Sequence, residues 1–129
     1  MTAQIVFLGL VGAFLVFYVL RYLRTRSIQR YSPEEVEGKL KEHGRLVLLD
    51  VRTERERNFQ HIKGSLHIPL PQLRARLNEL KGDLDKEIVC YCQSGNRSLR
   101  AARMLEQQGF RAASMRGGIV DWNFYHRSA

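Results

Sequence analysis

A chain of 129 residues, 44% hydrophobic and 26% charged, is sized for one globular domain and excludes a multidomain machine. Its two cysteines, Cys90 and Cys92, stand too close for a disulfide framework and offer no paired zinc-ligand spacing, so nothing calls for an oxidising compartment. The net charge of +8 points to an anionic partner, and the placement of the charge decides which.

Met1–Leu20 contains no charged residue, and Ile5–Leu20 is an unbroken run of Ile, Val, Phe, Leu, Gly, Ala and Tyr. Twenty helical residues span roughly 30 Å, one hydrocarbon core. The expectation is a transmembrane anchor over residues 1–23 and a basic juxtamembrane linker over 24–30. A cleaved signal peptide would open on basic residues and close on a small-residue site. Thr2-Ala3-Gln4 and Tyr18-Val19-Leu20-Arg21 fit neither. A core helix would show a polar face, whereas this run is apolar all round. Arg21, Arg24, Arg26 and Arg30 carry half the net charge and all follow the run. The positive-inside rule then predicts a single-pass membrane protein with Met1 outside and the domain cytoplasmic, in agreement with free thiols. Residues 31–129 show no basic stripe interleaved with aromatics, so the arginine block is assigned to topology and lipid headgroups, and no nucleic-acid partner is expected.

Residues 31–129 alternate helix and strand signals. Ile28–Tyr31 reads as a short first strand. Ser32 reads as an N-cap with Pro33 at the first helical position and Glu35 completing a capping box; the helix carries Val36 and Leu40 inward and stops at Gly44. Leu46–Leu49 is a continuous apolar run of the kind covered on both faces in a parallel sheet. A charged helix over Thr53–Phe59, a strand near Leu66–Ile68 and a helix over Pro71–Leu80 follow, the last presenting Leu73, Leu77 and Leu80 on one face. Lys81–Lys86 reads as a surface loop. Then come a strand Glu87–Cys92, a helix from Arg97 to Gln108 closed by Gly109, a strand Ala112–Met115 and a helix after Gly117-Gly118. The fold class is α/β: three layers around a five-stranded parallel sheet.

In such sheets ligands bind beyond the carboxyl ends of the strands. Cys92 is delivered to that edge, and Gln93-Ser94-Gly95-Asn96-Arg97-Ser98 curls from it into the next helix. Backbone N–H groups, the helix dipole and the Arg97 guanidinium all favour thiolate over thiol there, and Gly95 and Asn96 tolerate left-handed backbone. Cys90, two residues earlier in the strand, reads as a buried, inert thiol, with a resolving cysteine as the alternative. Asp50 and Arg52 read as structural, since polar residues at a strand end usually hydrogen-bond neighbouring loops. His61 and His67 lack partners at metal-ligand spacing, so no metal site is expected. Trp122 is expected in the core, Arg100 and Arg103 at the surface, and Arg116 at the pocket mouth.

Val89–Ser98 resembles the active-site strand and loop of the rhodanese family, the single-domain thiosulfate sulfurtransferases. Leu49-Asp50-Val51-Arg52 with Glu54, Glu56 and Phe59 is similar to its first signature, His61–Pro69 to the second and Met115–Trp122 to the last. Gln60 stands where the family usually has glycine. The resemblance implies a rhodanese-like fold and a persulfide mechanism without a cofactor. Cys92 takes sulfur from a small anionic donor such as thiosulfate and passes it to a thiophilic acceptor, cyanide or a thiol; a protein sulfur acceptor is a further partner class. Gln93, Ser94, Gly95, Asn96, Arg97 and Ser98 would bind the substrate. Three alternatives stand beside this. Phosphatases of the dual-specificity cell-cycle type, and arsenate reductases, share the fold, but a C-x-x-x-x-x-R loop needs arginine where Ser98 stands, and Arg97 falls one position short. A non-catalytic rhodanese-like module recruiting a partner, or a sulfur or selenium relay between proteins, would use the same fold.

Overall fold

Apolar runs too short for helices and flanked by turn residues become strands buried on both faces. In a computed structural model describing residues 1–26 and 28–128, two such runs and three further strands form one parallel sheet. Ser27, inside the expected linker, and Ala129, at the end of the expected domain, lie outside the described residues. The strands are β1 (Gln29–Tyr31), β2 (Leu46–Asp50), β3 (Leu66–His67), β4 (Glu87–Tyr91) and β5 (Arg111–Met115), in the order β1-β5-β4-β2-β3. The helices are α1 (Thr2–Arg26), α2 (Pro33–His43), α3 (Glu54–Phe59), α4 (Leu70–Leu73), α5 (Asn96–Gln107) and α6 (Gly118–Ser128).

The strand period of two divides the core. Leu49, Ile88 and Cys90 join Leu73, Leu80, Ala101 and Leu105 on one side of the sheet. Leu48, Val89 and Tyr91 join Val36, Met115 and Ile119 on the other, with Trp122 packed against them. Two apolar faces, each covered by helices, give the three-layer α/β fold expected from the sequence.

Local signals account for most boundaries. Ser32 accepts the Glu35 N–H at 3.2 Å and donates its hydroxyl to the Glu35 carboxylate, so the box closes through side chains rather than the cap N–H. Gly44 ends α2 at φ 63°, the left-handed conformation glycine adopts without strain. Two expectations change. Leu40 is 37% exposed, because only Val36 of α2 enters the core. The helix expected over Pro71–Leu80 is instead the single turn α4 passing into a 3-10 run over Arg74–Asp83, interrupted at Arg76 (φ −113°, ψ 17°). Leucines spaced four and three apart suit both windings, so Leu73 and Leu80 still reach zero exposure.

At the other end, Thr2–Leu23 of α1 is long and apolar enough to cross a membrane, and none of it is buried against the domain.

Candidate active site

β4 lies at the centre of the sheet, between β2 and β5. The chain leaves β2 towards β3 and leaves β4 towards β5, so the connections diverge beyond the carboxyl ends of β2 and β4, where open α/β sheets bind ligands. Cys92 stands in that crevice, one residue past the end of β4. Gly95 turns the following loop at φ 111° and hands it to α5. Asn96, whose tolerance of left-handed backbone is not used, is the first helical residue; among the described residues only glycines have positive φ.

The loop closes on the sulfur. Gly95 N–H donates to Sγ at 3.1 Å, and Ser98 Oγ lies 3.6 Å away. Cys92 is only 1% exposed, and burial alone would raise its pKa. The Ser98 hydroxyl and the backbone N–H groups of Ser98, Gly95 and Ser94 outweigh burial and hold the thiol below its ordinary value. Ser98 is itself buried and 2.8 Å from Ser114 Oγ on β5. Cys90 has the burial without the donors, and desolvation, then the neighbouring Cys92 charge, drive its pKa far up.

The first turn of α6 fixes the loop from behind. Ile119 N–H donates to the Cys92 carbonyl at 2.9 Å and Val120 N–H to that of Gln93 at 3.3 Å. Gly118 (φ 60°) permits this approach, since a Cβ there would run into both carbonyl oxygens. The double glycine marks a turn in the sequence; its grip on the nucleophile loop does not show there.

Arg97 is corrected in its contacts. Expected on the sulfur, its guanidinium forms a bidentate pair with Glu56 at 2.6 and 2.7 Å. Glu56 is held in place by a full capping box: Thr53 N–H donates to its carboxylate at 2.9 Å and its own N–H donates to Thr53 Oγ1 at 3.2 Å. Arg97 first, and Thr53 with it, bring Glu56 down to about 2. Arg97 stays within electrostatic reach of Cys92 as a cation at the rim. Thr53-x-x-Glu56 is a signal visible in the sequence; its link to Arg97 requires the fold. Arg116, expected at the pocket mouth, reaches Glu35 on α2 at 3.9 Å.

Of the remaining loop residues, Ser94 contributes its N–H, while Gln93 and Asn96 are exposed. Gln93 lines a cavity of about 340 Å³ with Arg52, Glu56, Phe59 and Ile119.

Asp50 and Arg52 are structural, at 0% and 2% exposure. Arg52 grips both Asp50 oxygens at 3.0 and 2.9 Å and the Gln60 carbonyl at 2.6 Å, and Tyr91 donates to Asp50 at 3.0 Å. Burial would raise the Asp50 carboxyl, but hydrogen bonds from Arg52 lower it. His67 Nε2 lies 2.8 Å from the Arg52 carbonyl, and His61 Nδ1 3.3 Å from that of Arg57. This buried network ties β2, β4 and the α3 loop together beneath the pocket.

The rhodanese-like domain family matches residues 32–124. Over 97 residues the chain is 39% identical to the putative sulfur carrier protein YrkF of Bacillus subtilis (strain 168), covering 74% of this chain and 51% of that one. It is 33% identical over 96 residues to a sulfurtransferase of Allochromatium vinosum, covering 74% and 88%. With the B. subtilis protein YqhL identity is 31% over 122 residues, 93% of each chain, a match that takes in most of α1. A rhodanese-related protein from Thermoplasma volcanium superposes with a TM-score of 0.68 at 30% identity, covering 75% and 92%. Thiosulfate sulfurtransferase from Pseudomonas aeruginosa superposes with a TM-score of 0.71 at 26% identity, covering 78% and 20%.

An α/β sheet with a donor-ringed cysteine at its carboxyl edge defines the class, and the chain belongs to the rhodanese-like family of sulfurtransferases and sulfur carriers.

Proposed function

We propose that this protein is a membrane-anchored sulfurtransferase that works through a Cys92 persulfide. The observation that carries the reading is a buried sulfur at the sheet's carboxyl edge that accepts the Gly95 N–H at 3.1 Å with the Ser98 hydroxyl at 3.6 Å, a setting that lowers the thiol's pKa despite burial. The Cys92 thiolate attacks the outer sulfur of thiosulfate. A new S–S bond forms, the old one breaks with its electron pair on sulfite, and the enzyme is left as Cys92–S–S⁻. The N–H groups of Ser94, Gly95 and Ser98 and the Ser98 hydroxyl hold the anion, and Arg97 at the rim, with Gln93 and Asn96, meets the donor. Cyanide or a thiol then takes the outer sulfur and restores the thiolate. No cofactor or metal enters these steps.

A five-residue step from Cys92 to Arg97, with Glu56 already occupying the guanidinium, argues against phosphate as substrate. The full-length chain in detergent should turn over thiosulfate with cyanide and leave p-nitrophenyl phosphate intact. The reverse result would make it a phosphatase.

The exposed apolar helix and the arginines after it support an anchor over 1–23, a linker over 24–30 and a cytoplasmic domain over 31–129, with Met1 outside. A reporter fused after Ala129 should be active in the form that requires the cytoplasm; export of that fusion would reverse the orientation.

A further inference from the structure

In a parallel sheet every strand begins at the same edge, and this chain enters that amino edge directly from α1. Arg26 closes α1 and Gln29 opens β1, three residues on, so at most about 11 Å separates them. Gln29 stands in register with Ala113, so β1 joins β5 two positions beyond Arg111, the first residue of that strand. The anchor is therefore tied to the amino edge, while β4 carries Cys92 to the opposite edge, about 17 Å away.

The amino edge has its own small cavity, far from the sulfur. Leu46, Glu87 and Arg111 stand side by side in register and, with Lys39, Glu42 and Arg45, line about 160 Å³. Glu87 is already taken, by Lys39 at 3.7 Å and by the Tyr31 hydroxyl at 3.0 Å, which leaves Glu42 as the free carboxylate of the lining. Arg45 and Arg111 are exposed and, among the described residues, have no ion-pair or side-chain hydrogen-bond partner. The loop before β4 adds Lys81 and the 49% exposed Leu84 to the same edge. Two unpaired guanidiniums over a small cavity suit a phosphate oxygen fork, and a cation near an anionic leaflet is drawn to it. Arg55, Arg74 and Arg100 around the carboxyl edge are as free, yet the short connection to α1 brings the amino edge to the bilayer first.

We propose that the amino edge of the sheet docks on anionic lipid headgroups through Arg45 and Arg111, holding the domain upright with Cys92 turned away from the bilayer. The inference rests on the anchor reading and extends it from a tether to a fixed orientation. Sulfur donors and acceptors then reach Cys92 from the aqueous side, and none arrives through the lipid.

The test is amide hydrogen exchange of the full-length chain in nanodiscs of mixed phosphatidylglycerol and phosphatidylcholine, against phosphatidylcholine alone. Phosphatidylglycerol should slow exchange over residues 41–46 and 107–112 and leave the loop 93–98 unchanged. Arg45→Gln and Arg111→Gln should each lower the ratio of docked to free domain about fivefold, and together about thirtyfold, with turnover in detergent unaltered. Equal exchange in the two lipids, variants that keep the protection, or protection of 93–98 in place of the amino edge would each overturn the proposal. Inorganic phosphate added to phosphatidylcholine discs should not reproduce the protection; if it does, the cavity takes free phosphate and the docking face is lost. A chain that separates from the discs on gel filtration would strike the anchor reading instead. Cosedimentation of that chain with phosphatidylglycerol vesicles, beside the double variant, then tests the edge, and no binding, or equal binding of the variant, overturns it.

Discussion

Cys90 and Cys92 lie two residues apart, 0% and 1% exposed, on the same side of the same sheet. Their acidities nevertheless move in opposite directions. Inside β4 the N–H groups around Cys90 are consumed by the ladders to β2 and β5. Past the strand end those of Ser94, Gly95 and Ser98 have no ladder to join and turn onto the sulfur. Reactivity here is a property of where the ladder stops, not of depth.

The largest effect should come from exchanging the thiols one at a time. Cys92→Ser should abolish the thiosulfate adduct and turnover, because a hydroxyl is too weak a nucleophile to replace a thiolate. Cys90→Ser should keep the adduct and lose only some stability from a disturbed core. An adduct that survives Cys92→Ser, read by mass, would overturn the comparison.

Next comes the clamp that keeps the two environments different. In Gly118→Ala the new Cβ meets the carbonyl oxygens of Cys92 and Gln93, so the loop must shift away from α6. A displacement of about 1 Å should lower turnover about a hundredfold, and alkylation kinetics should place the Cys92 pKa nearer the ordinary value of about 8.5. Unchanged kinetics would show that the loop holds its shape without α6.

Much of this contrast was legible in the sequence, because it depends on local chemistry. Apolar runs marked β2 and β4, Ser32 and Gly44 marked the ends of α2, and Gly95 marked the turn after the nucleophile. What was not legible is what the sheet brings together. Arg97 and Glu56 are 41 positions apart, and their pairing exists because β4 lies beside β2. The guanidinium expected beside the sulfur instead meets a carboxylate of the chain itself, an anion that offsets a cation near a helix N-terminus. Likewise the winding of 74–83 is hidden from leucine spacing, which satisfies either helix.

A smaller effect belongs to Ser98, whose hydroxyl stands 3.6 Å from the sulfur and donates to the Gly95 carbonyl at 3.1 Å. Ser98→Ala removes one of the groups that lower the Cys92 pKa, so the pKa should rise towards the ordinary thiol value. Sulfur loading at neutral pH should therefore fall, and recover as pH is raised. The variant also strands the Ser114 hydroxyl in the core. Adding Ser114→Ala should recover stability without recovering the acidity, separating the two roles.

The smallest effect, and the one with a distinctive sign, is expected at Glu56. With its pKa near 2, Glu56 is ionised throughout the working range. The stability it contributes through Arg97 is fully present above its unfolded value of about 4.3 and is lost as pH falls through the folded value. Glu56→Gln should remove that acid-side dependence, seen as a flatter stability profile below pH 4 or so. At neutral pH the same change frees a guanidinium within electrostatic reach of Cys92. The thiol pKa should fall further, by about a few tenths of a unit, since the rim is half-exposed and well screened. A fall would mean that Glu56 tempers the sulfur by neutralising Arg97. A rise would mean that Arg97, once released, swings away from the loop, and that the carboxylate serves to hold the cation beside the sulfur.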